Sequence, residues 1–168
     1  MNTKKRVILT LSLIHEHPRI LLGMKKRGFG AGHWNGFGGK IAPGETIEEA
    51  AVRELWEETG IEAEPSDLER YGILEFEFQS EPDKVLEVHV YKVLTHVGDA
   101  VETEEMRPQW FMIDEIPFKH MWADDPYWMP LFIKGSKFRG RFLFDEPSTS
   151  EKAASIIEKE VRLVTDFE

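Results

Sequence analysis

The sequence predicts an α+β fold, an α/β/α sandwich in which a mixed β-sheet packs against a small number of helices. Two observations carry this prediction. Several β-branched or leucine-rich segments occur in pairs around turns, and two other segments carry helix-capping signals. The chain has 168 residues, of which 41% are hydrophobic. We therefore expect residues 1–168 to form one domain with a buried hydrophobic core.

The strand pattern recurs along the chain. Strands are predicted over residues 6–14, 19–24, 68–79, 84–94, 109–113 and 137–144. The first two are expected to pair around a turn at residues 15–18, and the next two to form a hairpin around residues 80–83. Residues 156–164 fit either a helix stripe or one face of a strand, and we favour a strand.

Two helices are predicted. Thr46 and Glu49 have the spacing of a capping box, so the first helix begins there and ends before Gly60. The second begins near residues 124–126, with aspartate as the cap and proline in the first turn, and runs toward Gly135. Pro130 should make this helix short or kinked.

Two segments should be irregular. Residues 29–39 contain five glycines in eleven positions and are expected to form a loop. Residues 145–154 are polar and are expected to form a flexible loop.

The composition restricts the classes of function. The 21 basic and 31 acidic residues give a net charge of −10, which argues against a nucleic-acid polymer as partner and favours a cation between the protein and any phosphate ligand. The absence of cysteine excludes disulfides and zinc–thiolate sites and fits the cytosol. The sequence has no apolar run long enough to cross a bilayer, and its start is too polar for a signal peptide, so we expect no membrane partner.

The first predicted helix carries a cluster of glutamates. Glu54, Glu57 and Glu58 stand at i, i+3 and i+4 and share one helix face. A solvated acidic face, balanced by Arg53 one turn before Glu57, is the simpler explanation. However, a glycine-rich loop precedes the cluster and Glu45 can reach the same face. Grouped hard oxygen ligands are what Mg²⁺ selects, so a magnesium site is the functional interpretation.

The spacing around these glutamates matches a specific motif. It reads G-x5-E-x7-R-E-U-x-E-E-x-G-U, with U aliphatic, and its fixed positions are Gly39, Glu45, Arg53, Glu54, Leu55, Glu57, Glu58, Gly60 and Ile61. A pattern with so many fixed positions is highly specific, and the chain resembles the Nudix family, with its Nudix box at residues 39–61. The resemblance implies a mixed sheet between helices and hydrolysis of a nucleoside diphosphate linked to another group, with Mg²⁺ or, in its place, Mn²⁺.

The resemblance also implies roles for individual residues. The implied catalytic set is Arg53, Glu54, Glu57, Glu58 and Glu105. The implied metal ligands are Glu54, Glu57, Glu58, Glu105 and the carbonyl of Gly38. Metal bound there would acidify a water and neutralise charge on the reacting phosphate.

Outside the box, the chain is similar to a narrower group, the animal oxidised-purine nucleoside triphosphate hydrolases, which are MutT homologues that clear 8-oxo-dGTP and 2-hydroxy-dATP from the nucleotide pool. The matching stretches are residues 21–39 (LLGMKKRGFGAGHWNGFGG), 76–78, 87–90, 105–108 and 116–128 (IPFKHMWADDPYW). The substrate-binding residues implied are Thr10, Lys25, Phe29, Asn35, Phe37, Gly38, Gly39, Lys40, Phe76, Leu86, Trp122, Asp124 and Asp125. Leu86 replaces an expected methionine, residues 80–85 form a slightly longer hairpin, and residues 145–154 look like an insertion.

Each of the proposed base-binding residues also has a structural explanation. Trp122 and Phe76 could be core aromatics, Asp124 and Asp125 a helix cap and its neighbour, and Asn35 a turn residue. The combination favours a base pocket, because an aromatic covers a base face while amide and carboxyl groups bond its edge. Two adjacent carboxyls can also keep one proton, and a protonated carboxyl donates where an ionised one accepts.

The sequence therefore predicts a monomeric, Mg²⁺-dependent hydrolase of oxidised purine nucleoside triphosphates in the cytoplasm, with a nuclear or mitochondrial fraction left open. Its products would be nucleoside monophosphate and pyrophosphate. The alternatives are a Nudix enzyme for dinucleoside polyphosphates or ADP-ribose, and a catalytically silent nucleotide-binding module. The intact box argues against the silent module, because a pure binder does not need all three helix glutamates.

Overall fold

The computed structural model describes residues 3–149 and 151–168, and within them eight strands join in one sheet. The strands are β1 (Lys5–Glu16), β2 (Arg19–Lys25), β3 (Trp34–Asn35), β4 (Leu68–Phe78), β5 (Glu81–Val93), β6 (Met106–Met112), β7 (Lys137–Phe144) and β8 (Ile156–Val164). The helices are α1 (Ile47–Thr59) and α2 (Asp125–Ile133), with short 3₁₀ turns over Pro65–Asp67, Ile113–Glu115 and Phe118–His120.

Strand β1 lies at the centre of the sheet. It pairs with β5 in parallel over most of its length and with β2 antiparallel at its end, where Ile14 faces Leu21. The strand order is β3-β2-β1-β5-β4-β7-β8, and β6 also pairs with β2. The sheet contains both parallel and antiparallel pairs, which confirms the predicted mixed sheet.

The sheet has a hydrophobic core on each face. Alternate residues of a strand point to opposite faces. Thus Leu13 of β1 belongs to the core that contains Trp128 and Phe132 of α2, while the next residue, Ile14, belongs to the core that contains Leu55 of α1. The two helices therefore cover opposite faces, which confirms the predicted α/β/α sandwich.

Helix α1 forms as the sequence predicts. The Thr46 side chain accepts from the Glu49 N–H, and the Glu49 side chain accepts from the Thr46 N–H, so the capping box is confirmed. At the other end, Gly60 has a φ of 77°, and its N–H donates to the Trp56 carbonyl oxygen at 2.8 Å. Glycine adopts this left-handed conformation without steric cost, and the helix ends there.

Helix α2 is short, as Pro130 led us to expect, but its start differs from the prediction. The Asp124 side chain makes no capping bond. It accepts instead from the indole Nε1 of Trp128 at 2.8 Å, because four residues along a helix bring the two side chains to the same face.

Several strand bounds differ from the prediction, and β1 continues to Glu16, within the turn expected at residues 15–18. The β4–β5 turn comprises only residues 79–80, so β5 begins at Glu81 within the expected turn. Strand β6 begins three residues earlier than expected, at Met106. The glycine-rich loop includes the short strand β3, which pairs Asn35 with Gly23 of β2. The expected strand over residues 156–164 is confirmed as β8, and in the part of the chain that the structure describes no helix is long and apolar enough to span a membrane.

Candidate active site

Two glycines bring the segment after β3 against the middle of β1. The Thr10 N–H donates to the Gly39 carbonyl oxygen at 2.9 Å. A Cβ atom on Gly38 would lie 1.8 Å from the Thr10 carbonyl oxygen, and one on Gly39 would lie 2.6 Å from Glu54 Oε1. Gly38 accepts no side chain because its backbone lies directly against that of β1, while Gly39 lies against the carboxyl group of Glu54 on α1.

Arg53 organises the acidic face of α1. Its Nε and Nη2 donate to the two oxygens of Glu45, at 2.6 and 2.9 Å, a two-point geometry that fits a guanidinium to a carboxylate. Its Nη1 donates to Glu54 at 3.0 Å and to Glu57 at 3.3 Å. The expected Arg53–Glu57 pair is confirmed, but the shortest of these bonds goes to Glu45, just before the helix.

Burial raises the pKa of two carboxyl groups of this helix, Glu58 and Glu54. The Gly38 N–H donates to Glu58 Oε1 at 2.8 Å, which favours the charged form. Burial, with added repulsion from Glu54, nonetheless raises the pKa of Glu58 to about 8. Burial also raises the pKa of Glu54, although Arg53 opposes this. A bound cation would favour the ionised form of both groups.

Glu54, Glu57 and Glu58 are suited to a divalent cation. They share one helix face, and their hard oxygen atoms are the ligands that Mg²⁺ prefers. In their present positions, however, no three Asp, Glu or His side chains within residues 3–149 and 151–168 converge closely enough to hold an ion. Glu54 and Glu57 bond to Arg53, and Glu105 bonds to Arg27 at 3.1 Å. Metal ligation by these residues and by Gly38 therefore stays a prediction, which requires Glu54 and Glu57 to exchange Arg53 for the ion.

A cavity of about 430 Å³ lies next to the glycine segment. All but one of the predicted substrate-binding residues line it: Thr10, Lys25, Phe29, Asn35, Gly38, Gly39, Lys40, Phe76, Leu86, Trp122, Asp124 and Asp125. Glu58 lines the same cavity, so residues expected to bind a base and residues of the Nudix box share one space. The role of each in binding stays a prediction.

Trp122 forms a flat aromatic surface of this cavity. Its ring stacks with Phe29 at a centroid distance of 5.5 Å and with His33 at 4.8 Å, where the two planes are 3° apart. Trp122 is half-buried, so it is not a core aromatic. Two side chains of the glycine-rich loop, Phe29 and His33, thus hold the Trp122 indole in place.

Asp124 and Asp125 are adjacent acidic groups of the cavity wall, with only 6% and 2% of their surfaces exposed. Asp124 Oδ2 accepts from Trp128 Nε1, and Asp125 Oδ2 accepts from the Trp122 N–H at 3.2 Å. Burial raises the pKa of both carboxyl groups, and the charge of Asp124 raises that of Asp125 further. The pair therefore holds a proton at a pH where an exposed aspartate has lost it.

Phe37 is the exception among the predicted substrate-binding residues. Its side chain is fully buried in the core beneath α1, with Leu55 and Ile14, and does not line the cavity. Alternation explains the difference, because Gly36 and Gly38 on either side line the cavity while Phe37 points the other way. Asn35 both lines the cavity and accepts from the Gly36 N–H at 2.8 Å, so the turn role that we considered coexists with exposure to the cavity.

The structure adds cavity residues that the sequence interpretation missed. Trp128 was detectable, because it follows Asp124 at helical spacing and its indole N–H needs an acceptor when buried. Phe78 and Phe144 follow Phe76 and Phe142 at strand alternation, which places them on the same face of the sheet. No sequence signal indicated His33.

The fold, the cavity and the glutamate helix together define a nucleotide-hydrolase scaffold, and comparison places it in a known group. The chain belongs to the NUDIX family, since the model of the NUDIX domain matches residues 3–132. Hydrolases of this family generally use a divalent metal.

Two relatives match most of the chain. The mouse (Mus musculus) oxidized purine nucleoside triphosphate hydrolase is 49% identical over 142 residues, which are 84% of this chain and 89% of the relative. The zebrafish (Danio rerio) protein of the same name is 52% identical over 137 residues, 82% of this chain and 86% of the relative. The crystal structure of a mutator MutT protein from Bacillus halodurans has a TM-score of 0.76 at 24% identity, covering 92% of this chain and 97% of that one, which supports the fold.

Proposed function

We propose that the protein hydrolyses oxidised purine nucleoside triphosphates, such as 8-oxo-dGTP and 2-hydroxy-dATP, to nucleoside monophosphate and pyrophosphate, and so removes them from the nucleotide pool. The observation that carries this proposal is that one cavity is lined both by the predicted base-binding residues Trp122, Asp124 and Asp125 and by Glu58 and Gly38 of the predicted metal site. The names of the mouse and zebrafish relatives support the choice of substrate.

The aspartate pair gives the base site its chemistry. One carboxyl of a buried adjacent pair remains protonated because two charges so close together are unfavourable. The protonated group donates a hydrogen bond to the base edge, and the ionised one accepts. Movement of that proton lets the pair match the different edges of 8-oxoguanine and 2-hydroxyadenine, while Trp122 covers the base face.

The Nudix-box side of the cavity receives the phosphates. Lys25 and Lys40 line it and offer positive charge to a polyanion in a protein whose net charge is −10. Glu54, Glu57 and Glu58, with Glu105 and the Gly38 carbonyl, would hold Mg²⁺, for which Mn²⁺ can substitute. Such an ion supplies Lewis-acid stabilisation of the phosphates and lowers the pKa of a bound water.

The chain's own residues prepare this side for the reaction. Arg53 holds Glu54 and Glu57 on one helix face through its bonds at 3.0 and 3.3 Å. The Gly38 N–H fixes the Glu58 carboxyl at 2.8 Å.

We further propose that the protein is a monomer that acts in the cytoplasm on a small nucleotide. Neither a nucleic-acid polymer nor a membrane is expected as a partner. One chain supplies all the cavity residues named above, and a cysteine-free sequence fits a reducing compartment. The acidic net charge disfavours binding to a polyanionic duplex.

The test is a turnover assay with Mg²⁺ that compares 8-oxo-dGTP, 2-hydroxy-dATP, dGTP and ADP-ribose and follows pyrophosphate and monophosphate release. We expect the two oxidised triphosphates to have higher kcat/KM than dGTP, and chelation of the metal to stop the reaction. Faster hydrolysis of ADP-ribose, or equal kcat/KM for dGTP and 8-oxo-dGTP, would contradict the proposal. A variant at an exposed residue outside the cavity, Asp114→Asn, serves as the control.

A further inference from the structure

We propose that the connection between β7 and β8, of which the structure describes residues 145–149 and 151–155, contributes Pro147, Ser148 and Ala154 to the base-binding wall and that these three residues determine which purines fit. All three of these residues line the cavity that also contains Asp124 and Asp125. This inference rests on the proposed function, because it concerns the selectivity of the same site.

Hydrogen bonds give this loop a defined shape at its base. Asp145 Oδ1 accepts from the N–H groups of Glu146 and Ser155, each at 2.8 Å, and the Asp145 N–H donates to the Ser155 carbonyl oxygen at 3.0 Å. The Ser148 hydroxyl oxygen accepts from the Ala154 N–H at 2.8 Å. This last bond joins two of the cavity-lining residues across the loop, so they are held as a pair.

The loop is also attached to the aromatic part of the cavity. The Gln79 N–H donates to the Phe144 carbonyl oxygen at 2.9 Å, and the Ser80 N–H donates to the Asp145 carbonyl oxygen at 3.1 Å. Phe78 and Phe144 end strands β4 and β7, next to these bonds in the chain. Their rings stack at a centroid distance of 5.7 Å, and both line the cavity. The loop therefore continues a wall made of aromatic rings.

The chemistry of this wall suits a base and not a phosphate. Its three residues contribute a proline ring, a methyl group and one hydroxyl group, and none of these is charged. The loop's own cation, Lys152, bonds to Glu146 at 2.7 Å and lies 3.5 Å from Asp145. A polyanion would need cations or free N–H groups, so the part of the ligand that fits here is the flat, largely apolar purine.

This wall lies outside the stretch that defines the family. The NUDIX match ends at residue 132, whereas the loop begins at residue 145. The loop is thus separate in sequence from the Nudix box, and we expect it to set base preference without changing the phosphate chemistry.

The test measures binding of nucleoside monophosphates by calorimetry, because it reads the base site without requiring hydrolysis. Ala154→Leu adds three carbon atoms to the wall, and Pro147→Ala removes ring atoms from it. We expect Ala154→Leu to weaken binding of 8-oxo-dGMP by about tenfold or more, the effect typical of a misfitting hydrocarbon group in a closed pocket. Pro147→Ala should change the ratio of affinities for 8-oxo-dGMP and dGMP by severalfold. Inhibition of turnover by inorganic pyrophosphate should be unchanged in both variants.

Glu151→Ala is the matched control, since Glu151 is an exposed residue of the same loop that does not line the cavity. It should bind like the wild type. Wild-type affinities and ratios in folded Ala154→Leu and Pro147→Ala, or no monophosphate binding by the wild type, would overturn the inference. Failure of the proposed function is a separate result, because it would appear as absent turnover of oxidised triphosphates.

Discussion

Replacement of Asp124 by asparagine is the most direct test of the base site. Asp124 is buried and accepts from Trp128 Nε1 at 2.8 Å. Asparagine keeps one oxygen to accept that bond but presents an NH₂ group, which can only donate, in place of the second carboxyl oxygen. The substitution is nearly isosteric, removes one ionisable group and prevents this position from changing its protonation state.

The expected loss follows from the hydrogen bond that cannot form. A buried polar group left without its partner costs about 1–3 kcal/mol. Since about 1.4 kcal/mol corresponds to a factor of ten, kcat/KM should fall by roughly 5- to 150-fold for a purine that needs an acceptor at this position. A purine that needs a donor there should be affected much less. Metal affinity should not change, because Asp124 does not belong to the glutamate helix.

The same variant should change the pH dependence of stability. Burial raises the pKa of Asp124 and Asp125 above the ordinary value of 3.8, so the folded protein retains protons that the unfolded chain releases. The free energy of unfolding must therefore fall as the pH rises from that ordinary value through the folded pKa values. Asp124→Asn removes one of the two acids, so this fall should become smaller and the variant should be at least as stable as wild type at neutral pH.

The assay has two parts. Steady-state kinetics with 8-oxo-dGTP, 2-hydroxy-dATP and dGTP give the three values of kcat/KM, and urea unfolding at several pH values gives the stability. Asp114→Asn makes the same chemical change at an exposed aspartate outside the cavity and should leave both parts unaltered. An equal loss for all three nucleotides would refute the base-selecting role and leave Asp124 with a structural role through Trp128.

Three further predictions concern the phosphate side. Glu57→Gln should reduce turnover to background at saturating Mg²⁺ while thermal unfolding remains cooperative and the midpoint does not fall, because it removes a charge from a crowded acidic face; wild-type turnover would falsify the role assigned to Glu57. Hydrolysis in ¹⁸O-labelled water should place the label in pyrophosphate, as expected for attack at the β-phosphorus, and mass spectrometry showing labelled orthophosphate with a nucleoside diphosphate would rule this out. Gly38→Ala would place a Cβ atom 1.8 Å from the Thr10 carbonyl oxygen, so urea unfolding should show a loss of at least about 1–3 kcal/mol, and an unchanged midpoint would contradict the close approach of the two backbones.

Local signals predicted the parts of the fold in which neighbouring residues decide the structure. The capping box of Thr46 and Glu49 and the left-handed Gly60 set both ends of α1. A strand was favoured over a helix for residues 156–164, and the bounds of β8 agree, although Ile157 and Leu163 of its expected apolar face are exposed. The contacts that fix the ends of α1 lie within a few residues, so the sequence contains the information required there.

Non-local pairing accounts for what the sequence did not show. Strand β3 consists of only two residues in a glycine-rich segment, and it forms because Asn35 and Trp34 meet Gly23 and Met24 of β2. The assignment of Phe37 to the substrate site failed for a related reason. The direction of its side chain depends on how the segment pairs with Ser12 of β1, which the glycine pattern does not reveal.

In the candidate site, too, local spacing was predictable from the sequence, whereas contacts between distant segments were not. Spacing along one helix placed Glu54, Glu57 and Glu58 together, but the shortest bond of Arg53, to Glu45, depends on the path of the preceding loop. Likewise, the base-pocket assignments came from resemblance to a family, whereas the stacking of His33 on Trp122 arises only when two distant segments meet.

The placement of buried acids argues for the function independently of any resemblance. The chain has 31 acidic residues, and among those the structure describes Asp124 and Asp125 are the most deeply buried. Burial of ionisable groups destabilises a folded protein unless a partner offsets the lost hydration, and these two raise each other's cost by lying side by side. The two most deeply buried acids both line the cavity, so we expect a ligand that offers a donor and an acceptor to bind there.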